Sequence, residues 1–118
     1  MAEFSFPKKS RLLDAAQFKA VFDGANIKVS SRYFLILARS TGTGSDRLGL
    51  VIAKKNIARA VGRNRIKRQI REFFRQQAAG PGLDLVVLAR KDADTLSNPE
   101  IRDALGKLWK DVVRKGAA

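Results

Sequence analysis

The chain has 118 residues, enough for one domain with a modest core, and 45% of them are hydrophobic, as in a globular protein. Its 24 Lys and Arg face 11 Asp and Glu, a net charge of +13. Such a chain repels itself unless a polyanion is its partner: nucleic acid first, a membrane surface or an acidic protein after it. With neither Cys nor His present, disulfides, thiolate metal sites, thiol catalysis and the usual neutral-pH acid–base residue are excluded.

The first residues, with Pro7 and the cluster Lys8, Lys9 and Arg11, read as an extended basic arm. They hold no apolar signal core, and no run of eighteen apolar residues follows, so a cytosolic, bacterial-type protein is expected, without a membrane partner. Asp14 is placed to N-cap a helix that Gly24 stops. Within it Phe18 and Phe22 lie four apart on one face, as two core rings would.

A short strand over 26–29 precedes two apolar runs, "RYFLILAR" (32–39) and "RLGLVIA" (47–53). The turn-rich "STGTGSD" between these runs suits a hairpin. A helix is expected over 58–77, stopped by "AAGPG". "DLVVLAR" (84–90) has the compact apolar pattern of a strand buried on both faces. Asn98 and Pro99 then read as N-cap and N1 of a last helix carrying Ile101, Leu105, Leu108, Trp109 and Val112. No repeat or linker interrupts residues 1–118. The order helix, strands, helix, strand, helix predicts a single α/β (α+β) two-layer sandwich.

The helix over 58–77 carries the charge. At about 100° per residue, Ile66, Ile70, Phe73 and Phe74 fall within an arc of about 100°, a core-facing stripe. Lys67, Arg68, Arg71 and Arg75 occupy the other side with Asn64, while Arg63 and Arg65 sit at the borders, where a long stem packs and its head stays wet. Between Lys54 and Arg75 there are nine basic residues and one acid, Glu72. A solvated face mixes both signs; here Arg63, Lys67, Arg71 and Arg75 stand four apart and repel unless an anion is bound. Arginine suits bidentate phosphate contact and base stacking, and the Asn64 amide both donates and accepts.

Lys54 and Lys55 end a strand beside the start of this helix, where backbone N–H groups favour phosphate; Arg59 adds a further cation, and Arg90 with Lys91 ends the next strand. No catalytic constellation emerges. Asp84, Asp92, Asp94 and Asp103 are scattered, and the D-x-D of Asp92 and Asp94 is too sparse a ligand set for a metal site.

The string "GRNRIKRQIREFFR" closely resembles the signature of the protein subunit of bacterial ribonuclease P, with Arg63-Asn64-Arg65 followed by Lys67, Arg68 and Arg71. "QFKAVFDGA" resembles that family's first helix, "GLVIAKKN" the strand before the signature and "DLVVLARKDA" the strand after it, so the likeness spans most of the chain. The resemblance implies a protein that binds a large catalytic RNA, one protein per RNA, and assists it in removing the 5′ leader of precursor tRNA. Chemistry and Mg²⁺ would belong to the RNA, and no residue here would be catalytic.

By the same likeness the arginine-rich helix, with Lys54, Lys55 and Arg59, would meet the catalytic RNA. Phe18, Phe22 and Arg90 would line a cleft for the single-stranded leader, which revises the reading of the two rings as core. The implied fold is a ribosomal-protein-like sandwich with a left-handed βαβ crossover, against the ordinary right-handed preference. The chain departs from the family at Leu37, which aligns with a strand position that is Tyr in some members. Two rival classes share the charge: a structural RNA-binding module such as a ribosomal protein, and a DNA-binding protein whose basic helix enters the major groove.

Overall fold

The computed structural model describes residues 15–40, 47–77 and 82–117. In chain order these form α1 (Ala15–Gly24), β1 (Ile27–Ser30), β2 (Phe34–Ser40), β3 (Arg47–Val51), α2 (Ala60–Arg75), β4 (Leu83–Ala89), a one-turn 3-10 helix (Ala93–Thr95) and α3 (Asn98–Ala117). The expected cap at Asp14, the basic arm and most of the "STGTGSD" and "AAGPG" connections lie outside the described residues.

The four strands make one mixed sheet in the order β1-β2-β4-β3. β1 pairs with β2 and β2 with β4, both antiparallel, while β3 runs parallel to β4. The hairpin expected between the second and third strands is therefore corrected: β4 lies between them. Its Leu85, Val86 and Val87 are apolar on both sides, so β4 gains most by taking the centre of the sheet, where each face is covered.

That pattern also corrects the two-layer expectation. Alternate residues along each strand face opposite ways. On one face Ile36, Ala38, Leu85, Val87 and Leu48 join Ile66, Ile70 and Phe74 of α2 and Ile101, Leu105, Leu108 and Val112 of α3. On the other, Leu37 and Val86 pack under Val21 of α1. A sheet apolar on both faces needs cover on both, and α1 supplies the second layer of helix. Leu37, the departure from the family pattern, is buried beneath α1.

Two boundaries shift for physical reasons. β3 stops at Val51 because Ala53 turns the chain, its carbonyl accepting from the N–H groups of Asn56 and Ile57, both at 3.0 Å. Ile57 then plugs the core. At the start of α3, Ser97 rather than Asn98 is the N-cap. The Glu100 N–H donates to Ser97 Oγ at 3.3 Å and the Ser97 N–H to Glu100 Oε1 at 2.8 Å, a reciprocal capping box.

Candidate nucleic-acid interface

β3 and β4 are parallel, so the loops leaving their C-terminal ends emerge side by side. The first, 52–59, carries Lys54, Lys55 and Arg59 into α2; the second, 90–97, carries Arg90 and Lys91 toward α3. They are bound together: Asn56 Nδ2 donates to the Ala89 carbonyl at 3.1 Å, and the Arg90 N–H to the Tyr33 carbonyl at 2.8 Å. One end of the sheet thus collects cations from two connections.

The stripe expected on α2 is present. Ile66, Ile70 and Phe74 are buried and Phe73 half-buried, with Phe74 set edge-on between Phe73 and Trp109 at centroid distances of 5.0 and 5.3 Å. Asn64, Arg68 and Arg71 are exposed opposite, and Lys67 is half-buried along its stem. Glu72, the one acid of this segment, is held by Arg75 and accepts from Gln76 Nε2 at 3.0 Å; the Arg75 guanidinium keeps its carboxyl below the usual range. On α3, by contrast, Lys107 pairs with Asp103 at 3.3 Å and Arg114 with Asp111 at 2.6 Å. Helix α3 sets three acids against five cations, whereas α2 sets one against six.

Helix α2 also begins without local support. Arg59 occupies the N-cap position and makes no capping bond, and no acid lies in the first turn. Cations at a helix N-terminus oppose the macrodipole, so this arrangement is unfavourable until negative charge arrives from elsewhere.

Arg63 and Arg65 differ from their neighbours. Arg63 Nη1 donates to the carbonyls of Ile57 at 2.9 Å and Ala58 at 2.8 Å, so it fixes the loop before its own helix. Arg65 reaches across to the second loop, Nη1 to Asn98 Oδ1 at 2.8 Å and Nη2 to the Asp94 carbonyl at 2.9 Å. Sequence reasoning placed both at the border of the stripe but missed Asp94 and Asn98 as the partners of Arg65, and Asn56 as the tie between the two loops. Asn56 was visible as the last letter of "GLVIAKKN"; Asp94 and Asn98 were read as half of a D-x-D and as an N-cap, and nothing local tied either to Arg65.

On the opposite face, α1 leaves part of the sheet open. Phe18 is half-buried against a cluster that includes the half-buried Leu35, Val51 and Leu88, the row nearest the C-terminal ends of β3 and β4. Phe22, one turn further along α1, is 46% exposed. Arg90 stands at the rim, Nη1 donating to the Ser31 carbonyl at 3.1 Å. The two rings and Arg90 thus lie on the face of the sheet away from α2 and α3. Among the described residues no three acidic side chains gather as a metal site, and no helix is long and apolar enough to cross a membrane.

A mixed sheet flanked by helices, with six cations against one acid on one helix, defines a basic α/β protein suited to a nucleic-acid partner. The family described as Ribonuclease P matches residues 6–113. Over 115 residues the chain is 47% identical to the ribonuclease P protein component of Marinobacter nauticus, covering 98% of this chain and 87% of that one. It is 50% identical to that of Pseudomonas aeruginosa over 115 residues, covering 97% and 85%. The solved RNase P protein of Staphylococcus aureus matches with a TM-score of 0.77 at 28% identity, over 86% of this chain and 93% of that one. That of Thermotoga maritima matches with 0.75 at 31% identity, over 85% and 94%. The chain belongs to the ribonuclease P protein family.

Proposed function

We propose that the two faces of the sheet divide the work of a ribonuclease P protein subunit. The protein assists a catalytic RNA in cutting the 5′ leader from precursor tRNA, and the RNA carries the chemistry. The catalytic RNA lies along α2 and the loop before it, against Lys54, Lys55, Arg59, Asn64, Lys67, Arg68 and Arg71, the helix bearing the Arg63-Asn64-Arg65 signature on a left-handed crossover. The leader enters the cleft of Phe18 and Phe22, with Arg90 on its rim. Mg²⁺ stays with the RNA, and one protein, a single domain in the bacterial cytoplasm, serves one RNA.

The observation that carries this reading is the contrast between α2 and α3. Both are amphipathic, yet α3 sets three acids against its five cations while α2 sets one, Glu72, against six, so the excess on α2 favours an external anion. Reconstitution with a bacterial ribonuclease P RNA at low Mg²⁺ tests it. Precursor tRNA is expected to be cut at the mature 5′ end with the protein and scarcely without it. RNA binding with no stimulation of cleavage would instead mark a structural RNA-binding module.

A further inference from the structure

We infer that Arg65, a signature arginine, is a positioning residue: it sets the angle of the RNA-binding helix against the loop after β4 and does not itself meet phosphate. The inference rests on the placement of the catalytic RNA along α2. A single guanidinium joins three elements, α2, the 3-10 turn through the Asp94 carbonyl, and the first residue of α3 through Asn98 Oδ1. Because Ser97 caps α3, the Asn98 amide is left for this bond.

A second contact shows the same juxtaposition without any long side chain. Gly62, in the first turn of α2, lies against Asp94 so closely that a Cβ there would stand 3.7 Å from Asp94 Cβ and 3.8 Å from Oδ2. The same Cβ would be 3.2 Å from Ile57 Cγ2. The Asp94 carboxylate therefore brings negative charge to a helix start that has no acid of its own.

The loop that receives Arg65 is itself fixed. Asp92 is left-handed at φ 70°, Thr95 Oγ1 donates to its carbonyl at 2.7 Å, Ala93 is buried, and the Ala93 N–H donates to the Arg90 carbonyl at 3.2 Å. That last bond leads back to the rim of the aromatic cleft. Arg65 thus holds the helix for one RNA in register with the cleft for the other.

Catalytic-RNA binding across a salt series, by Arg65→Ala, Asn98→Ala, the double variant, Arg65→Lys and Arg68→Ala, tests this. Circular dichroism at the binding temperature sets the folded fraction, which a purely structural loss would track. Arg65→Ala is expected to weaken binding about tenfold and Asn98→Ala about threefold, from lost hydrogen bonds to a charged group. The salt slope stays as in the parent protein, and the double variant is no weaker than Arg65→Ala alone. Arg65→Lys, lacking the fork that spans two acceptors, recovers binding only in part.

A slope lowered by about 0.7–0.9 in Arg65→Ala, the value of one phosphate contact, overturns the positioning role alone. So does an Asn98→Ala protein that binds as tightly as the parent. If Arg68→Ala changes neither affinity nor slope, the placement of RNA on α2 fails and the positioning role fails with it.

Discussion

Arg47 grips Asp84 through two bonds, Nε to Oδ1 at 2.9 Å and Nη2 to Oδ2 at 2.7 Å, and Asp84 is 1% exposed. Arg39, directly opposite on β2, shares the row. The pair is asymmetric, since the Arg47 side chain keeps 33% of its surface in water. Arg47→Ala strands a buried carboxylate near Arg39 alone and is expected to cost about 3 kcal/mol, whereas Asp84→Ala lets a long cation swing outward and costs about 1–2 kcal/mol. Urea unfolding of the two variants checks the order; equal losses would show that Arg39 compensates fully.

The capping box of α3 makes part of the stability depend on pH. The Ser97 N–H and then its hydroxyl hold the Glu100 carboxyl below its usual 4.5. A lowered carboxyl pKa stabilises the fold fully above the unfolded value and loses that contribution as pH falls through the folded one. Glu100→Gln is therefore expected to flatten the acid limb of the thermal-unfolding profile by lowering its neutral region, with little change at the acid end. An acid limb as steep as the parent's would assign it to other carboxylates, Glu72 among them.

Arg68 is expected to meet phosphate. Arg68→Ala should lower RNA affinity and reduce the salt slope by about 0.7–0.9. Lys107→Ala, which removes a cation already paired with Asp103, should change neither. Filter binding over a salt series measures both. Equal losses would show that net charge alone draws the RNA.

The two rings of α1 should separate packing from recognition. Phe22→Ala removes a ring left about half in water and is expected to weaken leader-bearing tRNA more than mature tRNA at a smaller cost in stability than Phe18→Ala. Phe18→Ala, half-buried against the cluster of Val21, Leu37 and Val86, should add a loss of about 2 kcal/mol in stability from the apolar area exposed. Equal effects of Phe22→Ala on both RNAs would remove that ring from the cleft.

Periodicity revealed the helices and the double-sided burial of β4, because each is a property of neighbouring residues. It misled at β2 and β3, whose turn-rich connection reads as a hairpin, because nothing local announces that a strand more than thirty residues later inserts between them. The box Ser97-x-x-Glu100 was legible and lost to the more familiar Asn98-Pro99 pair. At the site, the chemistry of Lys54, Lys55, Arg68 and Arg71 was visible as charge without compensation. The different employment of Arg63 and Arg65 was not: Arg63 bonds backbone carbonyls of the preceding loop, which no side-chain pattern announces, and the acceptors of Arg65 are about thirty residues away, brought near only by the fold.

The central place of β4 has a consequence for the protein's birth on the ribosome. As the chain emerges from its N-terminus, β1 and β2 can pair, but β3 has no partner until residue 89 is made. Through that interval α2 is already synthesised, its cations beside ribosomal RNA and its Ile and Phe stripe without a sheet to cover. Closure of the fold by this late strand covers the stripe, so α2 takes its place on the sheet only after β4 has been made.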